Sequence, residues 1–172
     1  MNSTSNASDP KNPGEQATVN FFSRCLATGL FSGYSPIVPG TAGSLVGLAF
    51  YLIPGMENPI TLFVATIIGF FAGGIVSGQM ERRFGEDPHV VVIDEIVGMW
   101  ISLLLLPKTI WVVGAAFILF RMYDTIKPPP ARRLEHVKQG WGVMLDDVAA
   151  AAYANVTVRI LMVLFPGVLS AG

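Results

Sequence analysis

Cysteine and charge are both scarce in this 172-residue sequence. Cys25 is the single cysteine, so no intrachain disulfide can form, and a zinc site would depend on carboxylates and the two histidines. Charged residues make up 13% of the chain, and 11 basic against 12 acidic residues give a net charge of −1. This balance excludes the basic surface typical of nucleic-acid binding, and we expect no nucleic-acid partner.

The nucleophile motifs of three common hydrolase designs are also missing. No arginine follows Cys25 at the spacing that a cysteine-nucleophile loop requires. The sequence contains no Asp-x-Asp pair for an aspartyl-phosphate enzyme and no serine nucleophile elbow. A hydrolase with this sequence would therefore need a different source of its nucleophile.

Apolar residues are abundant, at 52% of the chain with a mean hydropathy of +0.55. These values exceed the usual soluble composition and predict a membrane-embedded protein. The opening residues, MNSTSNASDPKNPGEQ, are polar and lack the basic start and apolar run of a secretory signal. We therefore predict a disordered polar tail over residues 1–17 and a single helical domain over residues 18–172.

Five apolar segments, each bounded by proline, glycine or charge, predict an all-α, multihelical, membrane-embedded bundle of about four to five short helices. They cover roughly residues 41–53, 60–80, 96–106, 109–120 and 148–165. Residues 60–80 carry no charge and are long enough to cross a bilayer, which requires roughly 20 apolar residues. Glycines at four-residue spacing, among them Gly43/Gly47, Gly69/Gly73 and Gly74/Gly78, favour close helix packing, although glycine is common in membrane helices generally.

Basic residues fall on one predicted side of the membrane. Two follow the second apolar segment and five lie between the fourth and the fifth: Arg82, Arg83, Arg121, Lys127, Arg132, Arg133 and Lys138. Because positively charged loops tend to stay in the cytoplasm, we predict that both regions face it. The turns around residues 54–59 and 107–108 then face outward, as in two helical hairpins.

Three acidic clusters lie at the edges of apolar segments, where an ionised side chain is costly unless it is paired or binds a cation. Their members are Asp94, Glu95, Asp124, Asp146 and Asp147. All three clusters are on the predicted cytoplasmic side, so we expect them to converge on one metal site. Oxygen ligands without cysteine favour magnesium (Mg²⁺) or manganese (Mn²⁺). The alternative is a set of helix-terminal charges paired with Arg82, Arg83, Arg132 and Arg133.

Candidate phosphate-binding groups lie beside these acids. Lys127 can donate to phosphate oxygens, and Arg132 or Arg133 can add bidentate contacts. A simple ion pair between Asp124 and Lys127 at a helix end, before the stop at Pro128, is the structural alternative.

Thr41, in SPIVPGTAGS, is placed to cap a helix with its hydroxyl. Alternatively, the backbone N–H groups of Gly40, Thr41 and Ala42 bind an anion there. His89 and His136 stand near the acidic clusters, where each is either a proton shuttle or metal ligand or an ordinary surface histidine.

Four blocks in order, SPIVPGTAGSL, IDEIVGMW, FRMYDTIKPPPARRLE and GWGVMLDDVAAAAYAN, resemble the phosphatidylglycerophosphatase A family. The resemblance covers residues 21–164 and implies a magnesium-dependent hydrolase of the bacterial inner membrane that converts phosphatidylglycerophosphate to phosphatidylglycerol. By position, Asp94 and Glu95 match the family's Asp-Glu pair, and Asp124 and Lys127 match its Asp-x-x-Lys-Pro block. Asp146 and Asp147 match its Asp-Asp pair, and Thr41 matches its Gly-Thr block. The sequence departs from the family pattern at Pro129 and Ile93, where the family often has tryptophan.

We therefore expect a metal-assisted lipid phosphatase whose partners are the membrane and its lipid substrate. The sequence is also compatible with a homo-oligomer. Two alternatives are a CDP-alcohol phosphotransferase-like membrane enzyme, whose longer Asp-rich motif is missing, and an ion transporter with intramembrane carboxylates. The grouping of the acids with Lys127 and several arginines favours an anionic substrate over ion transit.

Overall fold

The computed structural model describes residues 19–85, 88–134, 137 and 140–166. Over these residues the chain forms seven α-helices, one short 3-10 helix and no strand, which confirms the all-α prediction. The α-helices are α1 (Phe21–Ala27), α2 (Pro39–Leu52), α3 (Pro59–Phe84), α4 (Ile93–Leu103), α5 (Ile110–Ile126), α6 (Ala131–Leu134) and α7 (Trp141–Leu164). The prediction of four to five helices missed α1 and α6, which are too short to show a hydrophobic period. The predicted tail lies outside the described residues.

Within the described ranges, helices α3 and α7 are long and apolar enough, by length and composition, to cross a membrane. Helix α3 also exposes a row of large apolar side chains, as expected for a surface that meets lipid: Phe63, Val64, Ile67, Ile68, Phe71 and Ile75. Helix α4 has 11 residues, so its length of roughly 16 Å is about half of a bilayer's hydrocarbon thickness. These features indicate a membrane protein whose helices differ in length.

The helices run up and down between two ends of the bundle. At one end, the α2–α3 and α4–α5 turns meet, because Lys108 Nζ donates to Leu52 O at 3.3 Å and to Glu57 Oε2 at 3.0 Å. These are the two turns predicted to share a side. At the other end, α2, α4 and α7 begin and α5 finishes, so residues near those helix termini are brought together.

Glycines allow α2 and α4 to approach closely, as the spacing predicts. A Cβ built on Gly43 would lie 2.6 Å from Val92 Cβ, and one on Gly47 would lie 3.0 Å from Ile96 Cα. Trp100 Nε1 donates to Gly47 O at 2.9 Å, which ties the two helices together. Helix α3 packs on the start of α7 in the same way, since a Cβ on Gly73 would lie 2.7 Å from Met144 Sδ. Side chains larger than hydrogen at these positions would push the helices apart.

Helix α7 also completes the turn after α4. Asn155 Nδ2 donates to the carbonyl oxygens of Ser102 at 3.1 Å and Leu104 at 2.9 Å, and Arg159 Nη2 donates to Leu104 O at 3.0 Å. The last carbonyls of a helix have no partner within the helix, and leaving them unpaired in an apolar setting is costly. Arg159 therefore has a structural role at the end of the bundle far from the acidic residues.

Candidate active site

A polar cavity of about 280 Å³ lies where α2, α4 and α7 begin and α5 ends. Five carboxyl groups line it: Asp94, Glu95, Asp124, Asp146 and Asp147. These are the five acidic residues selected from the sequence, and the fold gathers them from three helices. Arg121, Lys127 and His89 line the same cavity.

The two adjacent acidic pairs share one local geometry. Asp94 Oδ1 accepts a hydrogen bond from the backbone N–H of Glu95, and Asp146 Oδ1 accepts one from the N–H of Asp147, each at 3.0 Å. The first carboxyl of each pair is therefore held against its own helix. The second carboxyls, Glu95 and Asp147, join Asp124 in a group whose nearest oxygens all lie within 4.8 Å of one another.

One oxygen of this group is buried without a partner. Asp147 is 3% exposed, and its Oδ2 makes no hydrogen bond within the part of the chain that the structure describes. A buried acceptor of this kind is costly unless something binds it. The Asp147 carboxyl lies at short range from those of Glu95 and Asp124, and the three together fit a small divalent cation that prefers oxygen ligands.

Arg121 is the functional residue that the sequence analysis did not select. Its Nη1 contacts Glu95 Oε2, lies 3.1 Å from Asp124 Oδ2 and donates to Ser44 Oγ at 3.4 Å. Ser44 in turn donates to Glu95 Oε2 at 3.2 Å. A signal was available, because an arginine three residues before Asp124 inside an apolar helix needs a charged partner.

Lys127 reaches the second acidic pair from the end of α5. It is the C-cap of that helix, with φ 49° in the left-handed region, and Pro128 follows it. Its Nζ lies 2.7 Å from Asp146 Oδ2. The prediction that the prolines stop this helix is confirmed, and the cap geometry directs Lys127 toward α7.

Burial raises the pKa values of the acids in the first turn of α4, which lies outside the two membrane-length helices. Burial, followed by the charge of Asp124, raises the pKa of Glu95 to about 7, although Arg121 opposes the rise. Burial and then the charge of Glu95 also raise the pKa of Asp94 well above its ordinary value. Clustered acids with raised pKa values need nearby positive charge to ionise fully, and a bound cation would supply it.

The remaining selected residues lie around the cavity or outside it. The capping prediction for Thr41 is wrong: α2 begins at Pro39 with Val38 as its N-cap, no side chain caps it, and Thr41 lies inside the first turn. The N–H of Ala42 donates to Val38 O, so it is already used within the helix. Arg132 and Arg133 are exposed on α6, and neither lines the cavity. His136 lies outside the described residues.

Gly40 provides a first test of the cavity wall. A Cβ built there would collide with Glu95 Oε1 and lie 3.0 Å from Arg121 Nη2. We expect Gly40→Ala to displace the Glu95 carboxyl and to reduce kcat by about 10- to 100-fold, because misplacing a reacting group by an ångström costs this much. The control is Gly114→Ala in α5, where a Cβ would meet nothing within 4 Å. Equal turnover of both variants and the wild type would contradict this role for Gly40.

Fold and site together define the class: an all-helical membrane protein with a buried group of carboxyl oxygens suited to a divalent cation. The chain belongs to the phosphatidylglycerophosphatase A family, since the model of that family matches residues 25–162. It is therefore a phosphatase of phospholipid metabolism. This assignment favours the phosphatase prediction over a phosphotransferase or a transporter.

Three relatives cover most of the chain. A Bacteroides thetaiotaomicron protein with the provisional name phosphatidylinositol-3-phosphatase is 39% identical, over 82% of this chain and 94% of its own length. The phosphatidylglycerophosphatase A of Escherichia coli is 41% identical, over 73% of this chain and 74% of its own length. The phosphatidylglycerophosphatase A of Haemophilus influenzae is 37% identical, over 77% of this chain and 84% of its own length. No solved structure matches the chain significantly.

Proposed function

We propose that this protein hydrolyses the phosphomonoester of phosphatidylglycerophosphate to give phosphatidylglycerol and inorganic phosphate. The observation that carries the proposal is the group formed by Glu95, Asp124 and Asp147, with its unpartnered Asp147 oxygen, beside the cationic groups of Arg121 and Lys127. Two relatives named phosphatidylglycerophosphatase A support the choice of substrate.

The charge balance of the cavity supports a metal-dependent reaction. Five carboxyl groups line the cavity against two cationic side chains, Arg121 and Lys127. With the acids ionised, this surplus of negative charge would repel a phosphate group. Glu95, Asp124 and Asp147 would hold Mg²⁺, with Mn²⁺ as a substitute. Asp94 and Asp146 would help to position Glu95 and Asp147, whose backbone N–H groups donate to them. The bound cation would neutralise charge and activate the attacking water.

The chain's own groups would orient the phosphate. Lys127 would stabilise the negative charge that develops on the phosphate oxygens, while Asp146 holds its ammonium group in place. The backbone N–H groups of Gly40 and Thr41, in the first turn of α2, would add donors at the positive end of that helix. Arg132 and Arg133, exposed after Lys127 in the chain, would contact phosphate groups at the membrane surface. Hydrolysis joins the water oxygen to phosphorus, breaks the bond from phosphorus to the glycerol oxygen, and leaves that oxygen protonated.

The headgroup is the point on which the relatives differ, because one carries a phosphoinositide phosphatase name. Purified full-length protein in mixed micelles with Mg²⁺ is expected to release phosphate from phosphatidylglycerophosphate with a kcat/KM at least about tenfold above that for phosphatidylinositol 3-phosphate. Soluble glycerol 3-phosphate is the control for a need for the lipid. Faster turnover of the phosphoinositide would reassign the headgroup, and no release from either lipid by folded protein would refute the proposed function.

We also propose a multi-pass protein of the bacterial inner membrane whose acidic end faces the cytoplasm. Arg82 and Arg83 in the last turn of α3 support this orientation, because basic residues tend to remain on the cytoplasmic side. Arg132 and Arg133 on α6 follow the cytoplasmic end of α5 in the sequence and support the same orientation.

Cysteine labelling in intact cells tests the orientation. In a Cys25→Ser background, an impermeant thiol reagent is expected to label a cysteine placed at Gly55, in the exposed α2–α3 turn, and not one placed at Arg83. Both positions should react after the cells are permeabilised. Labelling of Arg83→Cys from outside, with Gly55→Cys protected, would invert the proposed topology.

A further inference from the structure

Arg121 binds the acidic group through one nitrogen. Within the described residues, every hydrogen bond and ion pair of its side chain uses Nη1, which contacts Glu95 Oε2, Asp124 Oδ2 and Ser44 Oγ. Its Nη2 lies beside Gly40 at the start of α2, where a Cβ would be 3.0 Å away. Arg121 also lines the cavity, so the N–H groups of its other nitrogens can donate to an acceptor that binds there.

The same carboxylates are the ones that would hold the cation. Glu95 and Asp124 supply two of the three oxygens in the group within 4.8 Å, and Arg121 forms an ion pair with each of them. A divalent cation and a guanidinium group a few ångströms apart repel each other strongly in a buried site. The two positive charges are therefore expected to compete for Glu95 and Asp124.

If a cation displaces Arg121 from the carboxylates, the guanidinium group needs another partner, and a phosphate group is suited to that role. The planar group of arginine carries five donors and binds phosphate through two parallel hydrogen bonds, whereas a lysine acts as a single point of charge. Arg121 is 21% exposed on its side chain and lines the cavity, so the group can turn toward a phosphate without unfolding α5. Lys127 forms an ion pair with Asp146, which belongs to the other acidic pair.

We propose that Arg121 is an exchangeable counter-ion: it holds Glu95 and Asp124 until a divalent cation binds them, and it then donates to the phosphate oxygens of the substrate. This inference rests on the proposed function for the identity of the phosphate ligand. Cation binding would then prepare the phosphate site, and by linkage phosphate would tighten the cation by the same factor.

The test measures Mn²⁺ binding to the purified full-length protein by electron paramagnetic resonance, with and without inorganic phosphate. Wild type is compared with Arg121→Gln and Arg121→Lys, and Arg159→Gln is the matched control at the far end of the bundle. Without phosphate, Arg121→Gln is expected to bind Mn²⁺ at least about tenfold more tightly than wild type. The factor by which phosphate tightens Mn²⁺ should fall at least about tenfold in Arg121→Gln, while Arg159→Gln keeps the wild-type factor.

The factor by which phosphate tightens Mn²⁺ binding distinguishes an arginine that moves to the phosphate from one that stays on the carboxylates. If Arg121 stayed on the carboxylates and also touched phosphate, its loss would weaken phosphate equally with and without Mn²⁺, and an unchanged factor would overturn the proposal. Weaker Mn²⁺ binding in Arg121→Gln would overturn it too, since Arg121 would then orient the ligands. Should Arg121→Gln not fold, Arg121→Lys keeps the charge but not the paired donors, and a wild-type factor in that variant contradicts the proposal. These binding results do not depend on turnover, so failure to hydrolyse phosphatidylglycerophosphate would refute the proposed function alone.

Discussion

Replacing Asp147 with asparagine is expected to reduce kcat by at least about 100-fold, because a metal ligand supplies several kcal/mol of transition-state stabilisation. The amide keeps the shape of the side chain but removes the charge of a carboxyl that has a buried oxygen without a hydrogen-bond partner among the described residues. Removing that charge also removes a desolvation cost. The variant should therefore unfold at the same temperature as wild type, or at a higher one, when both are measured with a chelator.

The measurement is the turnover rate at increasing Mg²⁺ concentrations, starting from protein whose metal has been removed with a chelator. Wild type should lose turnover on chelation and regain it with Mg²⁺ or Mn²⁺, and Asp147→Asn should recover part of its activity only at higher metal. Glu57→Gln is the matched control, because Glu57 is an exposed acid in an ion pair with Lys108 at the opposite end of the bundle. If Asp147→Asn kept normal turnover and metal dependence, the acidic group would be structural.

Lys127→Gln is the second substitution with a large expected effect. Losing one donor to the developing phosphate charge should lower kcat by roughly 100- to 1000-fold. It also removes the ammonium group 2.7 Å from Asp146, which is 4% exposed on its side chain. Because Lys127 is partly exposed, we expect this loss to destabilise the protein by about 1–3 kcal/mol, less than breaking a fully buried pair.

A double-mutant cycle with Asp146→Asn separates the two effects. The pair Lys127→Gln and Asp146→Asn should restore most of the lost stability, since it removes both charges of this ion pair together, but it should not restore kcat. Lys108→Gln is the control, because the Lys108 and Lys127 side chains are both 27% exposed and both form ion pairs. Recovery of turnover in the double variant would show that Lys127 acts only through the fold.

The sequence anticipated the bundle because hydrophobic segments are a local property. Its five apolar segments correspond to α2, α3, α4, α5 and α7. Pattern reasoning missed α1 and α6, whose 7 and 4 residues are shorter than the windows in which a helical period can be recognised. The error at Thr41 concerns the start of a helix: a threonine before an apolar run suggests a cap, but Pro39 already provides the first helical residue.

The sequence by itself determined that the protein is all-α and apolar, that its acids lie at the edges of apolar segments, and that its four motif blocks match one phosphatase family. Only the tertiary structure decided how those acids are arranged: Glu95, Asp124 and Asp147 form the close group, Asp146 pairs with Lys127, and Arg121 bridges Glu95 and Asp124. The reason is physical. Helix periodicity relates residues a few positions apart, whereas the Ser44–Glu95 and Glu95–Arg121 contacts join residues 51 and 26 positions apart. The Ser44–Glu95 contact forms where the glycines of α2 let that helix pack directly on α4.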